Sequence, residues 1–165
     1  MNILYLFCKK YNINYVVYYI LYSMTYLCPL CAIDPLNHSL IKLTEKENVF
    51  YYYTCPSKAK LYYDVNSIIC HYQGVLNEIP QNKQWVWIID GTDLNLFHLM
   101  QIEVARELIK LISSKFSKNL KKIIVINPNL YILSIYHIIT PFLTDEIKLL
   151  IEMNYTIQNA NDLII

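Results

Sequence analysis

The stretch Trp85–Ile89, WVWII, decides the fold class, because it is a continuous apolar run without alternating polar residues. A strand of this kind has both faces covered, as is typical of parallel sheets. Residues 90–93 (DGTD) end it in a turn, and apolar residues at helical spacing follow from about residue 96 to residue 116. A second buried strand is predicted at Ile123–Ile126. This order of strand, helix and strand predicts a βαβ unit with parallel strands and a right-handed crossover.

The segments on either side extend this unit. Upstream, Val49–Thr54 (VFYYYT) has the β-branched and aromatic residues of a strand, and the apolar spacing of Val65–Leu76 predicts a helix. Downstream, Asn127-Pro128 predicts the start of a helix that ends before Pro141, with the asparagine as its cap. Alternating apolar residues at Ile147–Met153 favour a third parallel strand in the C-terminal half, with a helix as the alternative. The predicted fold is therefore α/β, a mostly parallel sheet of about four strands with flanking helices.

The composition excludes several classes of protein. The chain has 165 residues, of which 55% are hydrophobic, so it is one folded domain rather than a disordered chain. A nucleic-acid-binding protein needs a basic face, and a net charge of +1 gives no support for one, so we expect no nucleic-acid partner. The two glycines, Gly74 and Gly91, are too far apart for a phosphate-binding P-loop, and a dinucleotide-binding loop needs three.

The chain carries no recognisable catalytic signature, and we expect it not to be an enzyme. Its histidines are scattered, and neither H-E-x-x-H nor G-x-S-x-G occurs. Residues 90–93 superficially resemble the acidic pair of aspartate-based phosphatases, but that pair is D-x-D and the one here is D-x-x-D. We interpret these residues as a capping turn.

The N-terminal third is apolar, and its role stays open. Residues 15–33 carry no charge and follow Lys9 and Lys10, and this length is just enough to cross a bilayer. A membrane anchor, a signal peptide and an apolar extension lying on the domain all agree with this pattern. A native start at Met24 would leave too short a segment to span. We assign residues 1–45 to this extension, as an anchor or a non-native segment, and residues 46–165 to the folded domain.

Cys28-Pro29-Leu30-Cys31 has the C-x-x-C spacing that can aim two sulfurs at one zinc ion. A complete site needs two more ligands, and His38 and Cys55 are the candidates. No second C-x-x-C or H-x-x-x-H supports them, so two ordinary buried cysteines remain the simpler interpretation and we assign no metal. The odd number of cysteines, 5, is typical of a reducing compartment, which favours the cytoplasm.

Five pieces of sequence occur in a recognisable order. They are a strand ending in Asp90, a lysine-rich approach at Lys121-Lys122, a turn at Asn127-Pro128, a helix ending in Thr140-Pro141-Phe142-Leu143, and a segment beginning Ile147-Lys148. Over about residues 60–155 this order resembles the CRAL-TRIO lipid-binding domain family, with Asn127-Pro128-Asn129 closer to its divergent, BCH-type branch. The resemblance implies a hydrophobic pocket that holds a phospholipid, a phosphoinositide or another small lipophile without covalent chemistry or a further cofactor.

The uncharged helix before Pro141 supplies the candidate site. A helix that is apolar nearly all round needs an apolar partner on both sides, and a lipid or a membrane surface could cover the side away from the sheet. The candidate lipid contacts are Tyr131, Ile135, Ile138, Ile139 and Phe142. The candidate headgroup contacts are Lys118, Lys121 and Lys122. The alternative function is a protein-interaction scaffold of the BCH type, which binds a protein partner and exchanges no lipid.

Overall fold

The structure is a computed structural model that describes residues 26–163, and a five-stranded sheet forms its centre. The strands are β1 (Ile41–Lys46), β2 (Val49–Thr54), β3 (Gln84–Asp90), β4 (Leu120–Ile126) and β5 (Ile151–Asn154). Their order in the sheet is their order in the chain. β1 is antiparallel to β2, and the other neighbours are parallel. The predicted α/β fold with a mostly parallel sheet is confirmed.

The sheet contains one strand more than the sequence predicted. β1 has the sequence IKLTEK, and its charged, exposed residues leave no apolar pattern to recognise. It forms an antiparallel hairpin with β2 through Glu47 and Asn48, both of which have positive φ. Exposed charges are common on edge strands, because they discourage pairing with other chains. β1 also crosses the boundary between residues 45 and 46 at which we divided the chain.

Within residues 26–163, six α-helices precede or connect the strands. They are α1 (Pro29–Ile33), α2 (Val65–Leu76), α3 (Leu96–Met100), α4 (Ile102–Leu111), α5 (Leu130–Ile139) and α6 (Asp145–Leu150). The single long helix expected over residues 96–116 was wrong, since it is divided at Gln101. The Gln101 N–H bonds to the carbonyls of His98 and Phe97, which closes α3 before α4 begins. A π-helical turn, Ile112–Phe116, follows α4.

The predicted strand at residues 147–153 was wrong in its first half. Residues 145–150 form α6, and β5 starts only at Ile151. Thr144 caps α6, with its hydroxyl accepting a hydrogen bond from the Ile147 N–H at 3.3 Å. Asp145 and Glu146 then occupy the first turn, where negative charge is favoured. These polar residues form the helix start that the alternating pattern concealed.

The cap of α5 also differs from the prediction. Asn129 is the cap, and its side-chain oxygen accepts from the N–H groups of Tyr131 and Ile132. Asn127 instead has a φ of 49° and lies directly after the last residue of β4. Its carbonyl oxygen approaches Gly91 so closely that a Cβ there would lie 2.6 Å away. Glycine is therefore required at Gly91, in the turn that follows β3.

The helices cover one face of the sheet. Alternate residues of β3, Trp85 and Trp87, point into a core shared with α2, α4, α5 and α6. Val86 and Ile88 belong to a second core on the opposite face. In the described part of the chain, a C-terminal segment containing Ile157 and Ala160 packs on that second face. The candidate site lies on the helical face.

Candidate functional site

An apolar cavity of about 100 Å³ lies between the helices and the sheet. Side chains from α2, α4, α5 and four strands surround it, and they include Ile68, Leu108, Ile123, Ile135, Ile139 and Ile151. None of the described residues that line the cavity is Asp, Glu, Lys or Arg. Such a lining can take an apolar group and disfavours a charged one.

One part of the cavity wall carries hydroxyl groups. The Ser39 and Thr54 hydroxyl oxygens are 2.8 Å apart, and the Thr54 hydroxyl oxygen is 2.6 Å from the Tyr72 hydroxyl oxygen. Burial raises the pKa of Tyr72 above its ordinary value, so its hydroxyl stays neutral at physiological pH. These three groups satisfy one another, and the wall remains polar but uncharged.

The indole N–H of Trp87 has no hydrogen-bond acceptor among residues 26–163. Trp87 is 4% exposed and belongs to the cavity lining. Trp85, the other tryptophan of β3, donates its indole N–H to the Phe116 carbonyl at 3.1 Å. Leaving a buried N–H unpaired costs about 1–3 kcal/mol. A small molecule that placed an acceptor beside this N–H would remove this cost.

The structure separates the predicted lipid contacts into two groups. Ile135 and Ile139 line the cavity. Ile138 and Phe142 are 48% and 53% exposed and lie outside the cavity lining. Tyr131 is partly buried in a small cluster near the start of α5 and does not line the cavity either.

None of the three predicted headgroup lysines lines the cavity. Lys118 borders a separate polar groove, and Lys121 is exposed. Lys122 forms an ion pair with Glu152 on β5. All three lie at or before the N-terminal end of β4, whereas Asp90 and Asn127 lie at the opposite edge of the sheet. A role in headgroup binding stays a prediction.

Asp90, at the C-terminal end of β3, is hydrogen-bonded to three other residues of the chain. Its carboxylate accepts hydrogen bonds from the Tyr53 hydroxyl at 2.6 Å, from the Thr92 N–H and hydroxyl at 2.9 and 2.6 Å, and from the Asn127 amide at 3.0 Å. Burial alone would raise the pKa of Asp90, but the bonds from Thr92, Tyr53 and Asn127 outweigh burial and lower it. The two hydrogen bonds from Thr92, two residues further along the chain, close the turn after β3, as in the predicted capping turn.

Three of the four predicted metal ligands lie close together. The side chains of Cys28, Cys31 and His38 meet, and the fourth member of the group is His71 of α2. We call these four residues the Cys–His cluster. The hydrogen bond with Cys31, reinforced by those with His38 and His71, outweighs burial and lowers the pKa of Cys28, whereas the same bond raises the pKa of Cys31.

Cys55 does not belong to the cluster, and its sulfur lies 3.3 Å from the Ser57 hydroxyl. Sequence reasoning missed His71 because it lies far along the chain from the C-x-x-C pair. No local spacing points to it, and only the packing of α2 brings it to the cysteines.

Comparison with known proteins places the fold in a family. The family model of the CRAL/TRIO domain matches residues 24–161. The chain belongs to the CRAL/TRIO family. This confirms the resemblance found in the sequence, and the CRAL/TRIO family is one of lipid binding and lipid transfer. No curated protein sequence matches this CRAL/TRIO chain.

A solved structure shares the CRAL/TRIO fold of this chain. The crystal structure of Sfh5 matches it with a TM-score of 0.58 and 9% sequence identity. The match covers 80% of this chain and 52% of the Sfh5 chain, so the present CRAL/TRIO domain spans about half the length of that protein. At this identity the likeness concerns the fold.

The described helices do not include a membrane span. Within residues 26–163, no helix has the length and apolar character needed to cross a bilayer. Most of the apolar stretch 15–33, for which we considered an anchor, lies outside the described residues.

Proposed function

We propose that this CRAL/TRIO domain binds a phospholipid, a phosphoinositide or another small lipophile without covalent chemistry, and that it carries this molecule between membranes. The cavity on the helical face of the sheet is the observation that supports the proposal. Its lining is apolar, and one lining residue, Trp87, has a buried indole N–H that lacks a partner among the described residues. A lipophile with an oxygen acceptor matches both properties.

The cavity must enlarge to admit a lipid. Its volume of about 100 Å³ is below the roughly 300–1,000 Å³ of ordinary ligand pockets. Helix α5 is the best candidate for the moving wall, because Ile135 and Ile139 face the cavity while Leu130 is 72% exposed on the outside. Outward movement of α5 would open the cavity beneath Ile135 and Ile139. The outer apolar side of α5, which includes Leu130, could then enter a membrane surface.

This view gives separate roles to the residues predicted from the sequence. Ile135 and Ile139 contact the bound lipophile. Ile138 and Phe142 contact the membrane surface during exchange, because their apolar side chains are half exposed. Tyr131 supports the start of α5, which would act as a hinge.

The test begins with the full chain as purified. Bound lipids are extracted and identified by mass spectrometry, and transfer of a fluorescent phosphatidylcholine between liposomes is measured. A cavity-filling variant, Ala105→Leu, is compared with Asn66→Leu, which adds the same side chain at an exposed position of α2. We expect lipid uptake to fall at least tenfold in the first variant only. Equal uptake by both variants, or no lipid and no transfer by the wild type, would contradict the proposal.

The alternative is a protein-interaction scaffold, and one observation favours it. Leu96, Phe97 and Met100 of α3 are all exposed, and α3 contacts α5. Together with Leu130 they place large apolar side chains on the surface, as at protein interfaces. Sedimentation analysis distinguishes the two functions, since self-association without lipid uptake would support the scaffold.

A further inference from the structure

The Cys–His cluster has the geometry of a metal site. The ligand atoms that its four residues can offer all lie within 4.8 Å of one another. The His38 Nδ1 is 3.5 Å from the Cys28 sulfur and 3.2 Å from the Cys31 sulfur, and the His71 Nδ1 is 3.8 Å from the Cys31 sulfur. Around a tetrahedral zinc ion, with Zn–S about 2.3 Å and Zn–N about 2.0–2.1 Å, such ligand atoms are about 3.4–3.8 Å apart. The three sulfur–nitrogen distances, 3.2–3.8 Å, are close to these values, and the other ligand atoms, within 4.8 Å of one another, need to approach slightly on metal binding.

The hydrogen bond of the His71 Nε2, the ring nitrogen away from the cysteines, determines the tautomer of its imidazole ring. Its Nε2 is 3.0 Å from the Leu40 carbonyl oxygen, which can only accept. The Nε2 of His71 therefore carries the proton, and the Nδ1 presents a lone pair toward Cys31. Metal-binding histidines almost always donate their second N–H to a carbonyl or carboxylate in this way.

The same reasoning applies to His38. Its Nε2 is 3.1 Å from the Ser67 hydroxyl oxygen, and that hydroxyl donates its own hydrogen to the Asp64 carbonyl at 3.0 Å. Ser67 must then accept from the His38 Nε2–H, which leaves the Nδ1 of His38 unprotonated beside both sulfurs. Both histidines are thus held as metal ligands before any metal binds.

Local structure explains why these residues meet. Pro29 starts α1 directly after Cys28, and one helical turn places Cys31 beside it. The Asn37 amide donates to the Leu30 carbonyl at 2.8 Å, which folds the chain back so that His38 returns to the cysteines. The cluster is shielded from water, since all of its members except the half-buried Cys31 are buried.

We propose that the Cys–His cluster binds one structural zinc ion. Two sulfurs and two imidazoles form a ligand set typical of tetrahedral structural zinc, with no position left for a substrate. The ion would fasten the segment before β1 to the middle of α2. Because His38 also lines the cavity, the ion would hold one wall of the cavity in place. This proposal stands independently of lipid binding.

The direct test is metal analysis of the full chain, purified under reducing conditions with a tag that contains no histidine. Plasma mass spectrometry should find about one zinc per chain in the wild type and in Cys55→Ser, whose cysteine is buried outside the cluster. In His71→Ala and Cys31→Ser the zinc content should fall below roughly 0.3 per chain. An equal loss of zinc in Cys55→Ser would contradict the assignment of the zinc site to the Cys–His cluster.

A second measurement does not depend on folding of the variants. Zinc is removed from the wild type with a chelator, which should lower the Tm by roughly 10 °C or more, and re-addition of zinc should restore it. Cobalt(II) added to the stripped chain should give the visible bands of a tetrahedral ion and thiolate charge-transfer absorption. A wild-type chain that holds less than roughly 0.3 zinc and gives no tetrahedral cobalt spectrum would overturn the proposal.

Discussion

Filling the cavity should stabilise the protein and at the same time abolish lipid capture. Ala105 of α4 lines the cavity, and leucine adds three carbon atoms there. At about 0.8 kcal/mol for each buried carbon, the gain is about 2 kcal/mol. An empty volume of about 100 Å³ at about 24 cal/mol per Å³ also corresponds to about 2 kcal/mol. Both estimates concern the same new contacts and are therefore not added. The expected gain in the free energy of unfolding is about 2 kcal/mol.

Urea unfolding of lipid-free protein measures this gain, and thermal unfolding should show a rise in Tm of roughly 4–8 °C. Addition of short-chain phosphatidylcholine should raise the Tm of the wild type and of Asn66→Leu, but not that of Ala105→Leu. Destabilisation of Ala105→Leu by more than about 1 kcal/mol would show that the cavity does not accept the added volume. A lipid-induced Tm shift retained in this variant would show that lipid binds elsewhere.

Three further predictions concern single groups. Trp87→Phe should lower the free energy of unfolding in urea by no more than about 1 kcal/mol, because removal of the unpaired N–H offsets the lost contacts. A decrease of more than about 3 kcal/mol would show that the N–H is hydrogen-bonded. The double variant Ile138→Ser, Phe142→Ser should lower liposome binding in sedimentation about threefold while changing the free energy of unfolding by less than about 1 kcal/mol, and Ile41→Ser on the edge strand should leave binding unchanged. Asp90→Asn should cost about 1–2 kcal/mol at neutral pH. The lowered pKa of Asp90 stabilises the fold above the unfolded value of about 3.9, and this contribution is lost as the pH falls through the folded pKa, so urea unfolding of Asp90→Asn should lose this part of the acid dependence.

The buried strands were predictable because their physical signal is local. WVWII at 85–89 and IIVI at 123–126 are short apolar runs rich in β-branched and aromatic residues, which favours strands covered on both faces. The strand prediction for Ile147–Met153 was partly wrong, because apolar residues alternate there over only a few positions. The cap at Thr144 and the acidic first turn outweighed that alternation, and the chain forms α6 before it forms β5.

The candidate site was less predictable, because it depends on which side of a helix faces the sheet. A helix without charges gives little contrast between its faces, so Ile135 and Ile138 could not be distinguished from the sequence. Their separation into cavity and surface follows from the packing of α5. His71 shows the same limit, since a ligand contributed by a distant helix leaves no spacing pattern near the C-x-x-C pair.

The order of the strands has a consequence for synthesis on the ribosome. Each strand pairs with the strand that precedes it in the chain, so an emerging segment always meets an edge that already exists. Each parallel pair is joined by a single helical crossover between consecutive strands, so no strand has to insert between two strands that are already paired. The nascent polypeptide can therefore grow its sheet in one direction, from the β1–β2 hairpin to β5, without waiting for its final residues.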